Sequence, residues 1–165
     1  MTVGTAVALT SSSFRYSTPK TGKLSLSPSD FAPGSLEGAT HDYLNEWDNS
    51  TLSNSDFARC FEAGIHLPNG SKFVSIKFFY VSDNTSDFLA RVWRQRLATG
   101  TAALLRESHP ANNAGTLTSD TKTIPSTEQS VNNGTYAYMV GVCPYSGTTF
   151  NGAIVTYKYF NAGIS

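Results

Sequence analysis

Apolar and polar residues alternate with a period of two over most of the chain, the spacing of strands with one buried face. The pattern becomes clear at Phe57, where Phe57, Arg59, Phe61, Ala63, Ile65 and Leu67 share one side. Pro68–Gly70 ends that run, and its Asn-Gly pair favours the positive φ of a tight turn. Lys72–Ser82 then places Val74, Ile76, Phe78 and Tyr80 on one face and Phe73, Phe79 and Val81 on the other. After a turn at Asp83–Asp87, Phe88–Leu97 sets Phe88, Ala90 and Val92 against Leu89, Arg91 and Trp93. Ala98–Thr101 turns into Ala102–Glu107, and the Gly/Asn-rich stretch His109–Gly115 leads to Thr116–Pro125. The last third carries the strongest alternation. Tyr136, Tyr138, Val140 and Val142 line one face of Tyr136–Cys143, Pro144–Thr149 turns, and Phe150–Phe160 sets Ala153, Val155, Tyr157 and Tyr159 against Ile154 and Thr156.

Strands about 10–15 residues apart with Gly, Asn and Pro turns between them predict an all-β fold. The form expected is an antiparallel, jelly-roll-like β-sandwich of about seven to nine strands. Helical periodicity competes only at Phe57–Gly64 and Ala98–Arg106, and no internal repeat is visible. The first third reads differently. It is Pro-punctuated and irregular, with short strands expected only at Thr5–Leu9 and Gly22–Leu26. The expectation is therefore one domain over 1–165, with an irregular arm over 1–56 and the main sandwich over 57–160.

Charge narrows the function classes. Lys and Arg number 12, Asp and Glu 12, and the formal net charge is +0, so no basic excess points to nucleic acid. No apolar run approaches the ~20 residues of a spanning helix, so no membrane insertion is expected. With 39% hydrophobic and 12% aromatic residues, a packed core is affordable and disorder is not the expectation. Met1–Ser13 has no charged start and no strong apolar run, so it is not read as an intact signal peptide. The polar, weakly charged composition suits an extracellular, surface or virion setting. Cys60 and Cys143 both fall at strands, which leaves two readings, a disulfide or two buried thiols. The N-x-S/T triplets at Asn49, Asn69, Asn84 and Asn133 read as turn residues before glycan acceptors.

From Ala63 the order of landmarks runs AGIHLPNG, VSIKFFYVSDNTSDFLARVWRQRLATGT, NNGTYAYMVGV and FNGAIVTYKY. This order resembles a broad, poorly characterised group of bacterial secreted or surface β-sandwich modules over about residues 63–160. The matching positions are Leu67, Pro68, Gly70, Tyr80, Asp83, Arg94, Gly100, Asn133, Tyr136, Tyr138, Gly152, Ala153, Val155 and Tyr157. These are turn and core residues, so the resemblance implies a fold and carries no catalytic residues with it.

Candidate chemistry gathers in the acidic segment before the first clear strand. Asp42, Glu46, Asp48 and Asp56, with His41 beside them, supply oxygens of the kind Ca²⁺ takes, although the spacing of an EF-hand loop is missing. No other cofactor is expected. The same carboxylates are candidates for a glycosidase pair. Tyr43 and Trp47 stand in this segment as the candidate ligand contacts, because aromatics beside carboxylates can stack on sugar rings; the competing reading has Trp47 plugging the end of the sandwich. No G-x-S-x-G occurs and the three histidines are scattered, so a serine hydrolase is not indicated. Four arginines, Arg91, Arg94, Arg96 and Arg106, fall in one hairpin, with cross-strand pairing to Glu107 or another carboxylate expected and Arg94 a candidate for a buried ion pair. The main expectation is a non-catalytic module with a structural or adhesive, carbohydrate-binding role and a glycan or protein as ligand. The alternatives are a glycan-active hydrolase and a fibre- or capsid-type structural protein. Phe73, Phe79 and Val81 would give the sheet a second apolar face, from which a homo-oligomer is expected.

Overall fold

The computed structural model describes residues 15–34, 43–46, 51–54, 60–83, 88–110, 115–145 and 147–161. Its described strands are β1 (Arg15–Leu26), β2 (Ala32–Pro33), β3 (Tyr43–Glu46), β4 (Thr51–Asn54), β5 (Phe61–Ile65), β6 (Lys72–Ser82), β7 (Phe88–Arg96), β8 (Ala102–Ser108), β9 (Thr118–Thr123), β10 (Tyr136–Pro144) and β11 (Thr148–Asn161). One 3-10 turn, Pro28–Asp30, joins β1 to β2, and the Asp30 carboxylate accepts the Ser27 N–H at 2.7 Å to hold it.

The strands form two antiparallel sheets. The six-stranded sheet runs β3-β4-β11-β6-β9, with β1 also on β11; the five-stranded sheet runs β2-β5-β10-β7-β8. From β5 to β11 the chain changes sheet at every connection except the β7–β8 hairpin, which is the jelly-roll manner of the expected sandwich. The extra strands beyond the expected number are the short pieces β2, β3 and β4. The larger difference lies in β1. Only Gly22–Leu26 alternates visibly, yet β1 starts at Arg15 and pairs with the last strand from Leu26↔Ala153 out to Arg15↔Asn161. Its exposed half is polar and Pro-containing, so the sequence hides a strand whose hydrogen bonds come from a distant partner.

β11 carries both β4 and β1 on one edge, and a bulge between Phe150 and Gly152 separates the two pairings. Gly152 has φ +132°, a conformation that favours glycine, and a Cβ there would lie 2.8 Å from the Leu26 carbonyl oxygen.

Inward residues of both sheets meet in one core. Phe61, Phe73, Phe78, Phe88, Phe150, Leu52, Ile76, Leu105, Ile124, Val92, Val140 and Val142 are essentially inaccessible. Phe150 is a junction, 4.9 Å edge-on from Phe31 and 6.1 Å from Phe88, which itself stacks on Tyr80 at 4.7 Å. Phe73 corrects the sequence expectation. A bulge in β6 sets Ser75 opposite Thr156 but Phe73 opposite Tyr157, so Val74 is the extra residue and Phe73 turns into the core. The outer face therefore keeps Phe79 and Val81 but not Phe73, and both are half-buried.

At the β8/β9 edge polar groups close the gap between the sheets. Asp120 accepts from the Ser108 hydroxyl and lies 2.9 Å from Lys122 Nζ, while Arg106 Nε donates to the Thr123 carbonyl at 2.6 Å. Burial pushes the Asp120 carboxyl up, but the hydrogen bonds from Ser108, Lys122 and the Thr121 backbone, with the Lys122 charge, hold it below its ordinary value. Burial, and then the Asp120 charge, raise the Tyr80 phenol. Cys60 and Cys143 are joined by a disulfide with Cα atoms 4.1 Å apart, one step beyond the Phe61↔Val142 pair. The bond ties the start of β5 to the end of β10 across 83 residues of sequence.

Candidate functional site

Along β10 and β7, Val140, Val142, Ala90 and Val92 point into the core, so Gly141, Met139, Arg91 and Trp93 point out. The paired registers lay these residues out in rows across the five-stranded sheet. One row reads Glu62, Gly141, Arg91 and Glu107 from β5 to β8. The next reads Gly64, Met139, Trp93 and Leu104. The first row is polar apart from its glycine, and the second is apolar.

Trp93 joins the two rows. A Cβ on Gly141 would fall 2.6 Å from the indole Cη2 and 2.8 Å from Cζ3, so the ring rests where only glycine leaves room. Beside it in the register, Leu104 is 55% exposed. Arg91 Nε donates to Glu107 Oε2 at 2.7 Å, and the two side chains remain 50% and 40% exposed. Of the four hairpin arginines, Arg91 is the one that makes the cross-strand pair with Glu107. Its single described bond leaves the guanidinium with further donors and the carboxylate with further lone pairs. Glu62 adds a second, half-buried carboxylate on the far side of Gly141. A flat aromatic supported on a sheet, flanked by a row of exposed donors and acceptors, is what a sugar ring needs: an apolar C–H face to stack on and hydroxyls to bond.

Two of the residues singled out from the sequence lie on the other sheet. Tyr43 and Glu46 occupy the two ends of β3, where their backbones pair with Asn54 and Thr51 at the edge of the six-stranded sheet. Asp42, Trp47, Asp48 and Asp56 lie outside the described residues. Among the described residues no three of His, Cys, Asp and Glu come together as a metal site would require. Arg94 is not in a described ion pair. Its guanidinium lies over the Tyr136 ring at 4.7 Å, and its buried Nε has no hydrogen-bond partner. Asn69 and Asn133 act as turn residues: the Asn133 N–H donates to Asn69 Oδ1, and Asn133 Nδ2 donates to the Leu67 carbonyl.

Trp93 was legible only as an alternating strand residue. The signal that could have found it is Gly141, the lone glycine of β10, standing on the outward phase of that strand.

No protein-family model matches the chain. No curated protein matches it either. The fold is similar to that of the C-terminal CBM6 of LamC, a marine laminarinase from Zobellia galactanivorans, with a TM-score of 0.55 and 15% identity over 82% of this chain and 99% of that one. It is also similar to a xylan-binding module, CBM15, with a TM-score of 0.55 and 12% identity over 88% of this chain and 100% of that one. At such identities the likeness is one of fold: a β-sandwich of the architecture that carbohydrate-binding modules use.

Proposed function

We propose that the chain is a non-catalytic carbohydrate-binding module, and that the outer face of the five-stranded sheet is its glycan surface. The observation that carries this reading is Trp93 seated on Gly141 in the middle of an open sheet face. The indole supplies the stacking platform. Arg91, Glu107 and Glu62 supply hydrogen bonds to hydroxyls on either side of it, and Leu104 extends the apolar strip. No covalent step is needed: the site holds a sugar by ring stacking and a few directed bonds, on a scaffold that does not have to move.

The similarity in fold to a xylan-binding module and to the CBM6 of a laminarinase supports the reading and names the first ligands to try. The Cys60–Cys143 disulfide supports an oxidising, extracytoplasmic setting. Isothermal titration with soluble xylan and laminarin tests the proposal. Wild type should bind at least one of them, and Trp93→Ala should weaken that binding about 30-fold, the scale of an aromatic hot spot. Trp47→Ala serves as the matched control. Binding that survives Trp93→Ala unchanged and disappears in Trp47→Ala would move the site to the 42–56 segment.

A further inference from the structure

The neutral net charge conceals a segregation of cations. On the six-stranded sheet, Leu24, Ile76, Val155 and Tyr157 face or pack against the core, which places Lys23, Lys72, Lys77 and Lys158 on the outer face. The registers give three successive rows there: Thr21, Lys158 and Lys72; Lys23, Thr156, Ser75 and Thr123; Ser25, Ile154, Lys77 and Thr121. Lys23, Lys72 and Lys158 are exposed. Lys77 is half-buried because its ammonium lies over the Phe79 ring at 5.0 Å. Ser119, beside Phe79, continues the hydroxyl-bearing positions along β9. Among the described residues these rows hold no Asp or Glu.

Lys72 and Lys158 lie directly opposite each other across β6 and β11. Like charges in that position repel and disfavour the pairing that holds them. None of the described ion pairs neutralises either one. A ligand carrying negative charge would relieve the repulsion and supply the missing counter-charge.

We infer that this outer face is a second binding surface, for an acidic polysaccharide bearing carboxylate or sulfate groups. Four ammonium groups meet the charges, and the intervening Ser and Thr hydroxyls meet the sugar oxygens, in successive rows across neighbouring strands. The pattern favours this occupant over a lipid surface, because the apolar members, Phe79, Val81 and Ile154, are all half-buried. It favours a glycan over nucleic acid, because whole-chain charge is +0 and the cations are lysines without arginine or stacking aromatics in their rows. The inference is independent of the Trp93 site, which lies on the other sheet.

Affinity electrophoresis and calorimetry with polygalacturonate, dextran sulfate and neutral dextran test it. Wild type should bind one or both polyanions, and the carboxylated and sulfated arms identify the acidic group; neutral dextran should not compete. Binding should weaken at least tenfold as salt rises from 20 to 300 mM, because exposed charges are screened. The double change K72Q/K158Q should lose about tenfold in affinity, whereas R94Q/R96Q, which removes the same net charge from β7 of the other sheet, should lose less than twofold. Thermal melting gives a readout free of the ligand: K72Q/K158Q should melt no lower than wild type, since a repulsion is removed. Trp93→Ala should bind the polyanions as wild type does, so failure of the neutral-glycan site would not touch this result. Equal losses from both double variants, no binding to either polyanion, or capture by phosphatidylserine vesicles without capture by polygalacturonate would each overturn the inference.

Discussion

The two outward faces of this sandwich share one core and one strand geometry, yet they are chemically opposite. On the five-stranded sheet the outward positions hold an indole, a leucine, two glycines and one guanidinium balanced by carboxylates. On the six-stranded sheet they hold four lysines among hydroxyls, with no carboxylate in those rows. The inward residues of both are the same Phe, Val and Ile. The lesson is that the period of two divides the labour: one phase of each strand builds the fold, and the other is free to be written for a ligand. Two ligand chemistries can then sit on one small scaffold without competing for the same side chains.

Removing the shared core should erase both faces together. Phe150→Ala, at the meeting point of Phe31, Phe88 and the inner sheet surfaces, should cost about 3–5 kcal/mol in a urea melt. If one face kept its ligand after that change while the other lost it, the idea of a common scaffold would fail. A smaller and one-sided effect is expected from Gly152→Ala. The new Cβ meets the Leu26 carbonyl at a positive φ, so β1 should be pushed off β11 at a cost of about 2 kcal/mol. Tryptophan emission from the five-stranded face should be unchanged in the folded variant; a shift would mean that the two sheets are more tightly coupled than their separate edges imply.

Asp120 sharpens the comparison at the seam between the faces. Its folded value lies below the ordinary carboxyl value, so ionisation stabilises the native state at neutral pH. That contribution is complete above the unfolded value of about 4 and is lost as pH falls through the lower folded value. Acid melts of wild type should therefore steepen below about pH 4, and Asp120→Asn should flatten that limb and cost about 1–2 kcal/mol at pH 7. An unchanged acid limb in Asp120→Asn would show that the Ser108–Asp120–Lys122 closure contributes little.

Much of the fold could be read from alternation alone. The inward sets of β5, β7 and β10, and of β11 from Ala153 on, stand in the sequence as written, because these stretches alternate without a break and are half-buried. Strict alternation puts Phe73 on the wrong face because a bulge shifts phase by one residue, and nothing local marks Val74 as the extra one. The first half of β1 was missed for a different reason: its order comes from β11, more than a hundred residues away, and not from its own residues. The site was less legible still. Trp93 and Gly141 are 48 positions apart, and only the β7–β10 register brings them together. The acidic segment stands out because its residues are neighbours in sequence, whereas the lysines of the six-stranded sheet are spread over β1, β6 and β11. Chemistry assembled by sheet pairing is invisible to a search for short motifs.

The most direct test of the central claim is the fluorescence of a Trp47→Phe variant, in which Trp93 is the one remaining indole. Titrating it with the glycan that wild type binds should change the Trp93 emission with the same affinity that calorimetry reports, and adding Gly141→Val should abolish both signals by displacing the ring. Calorimetric binding with no change in Trp93 emission would contradict the account.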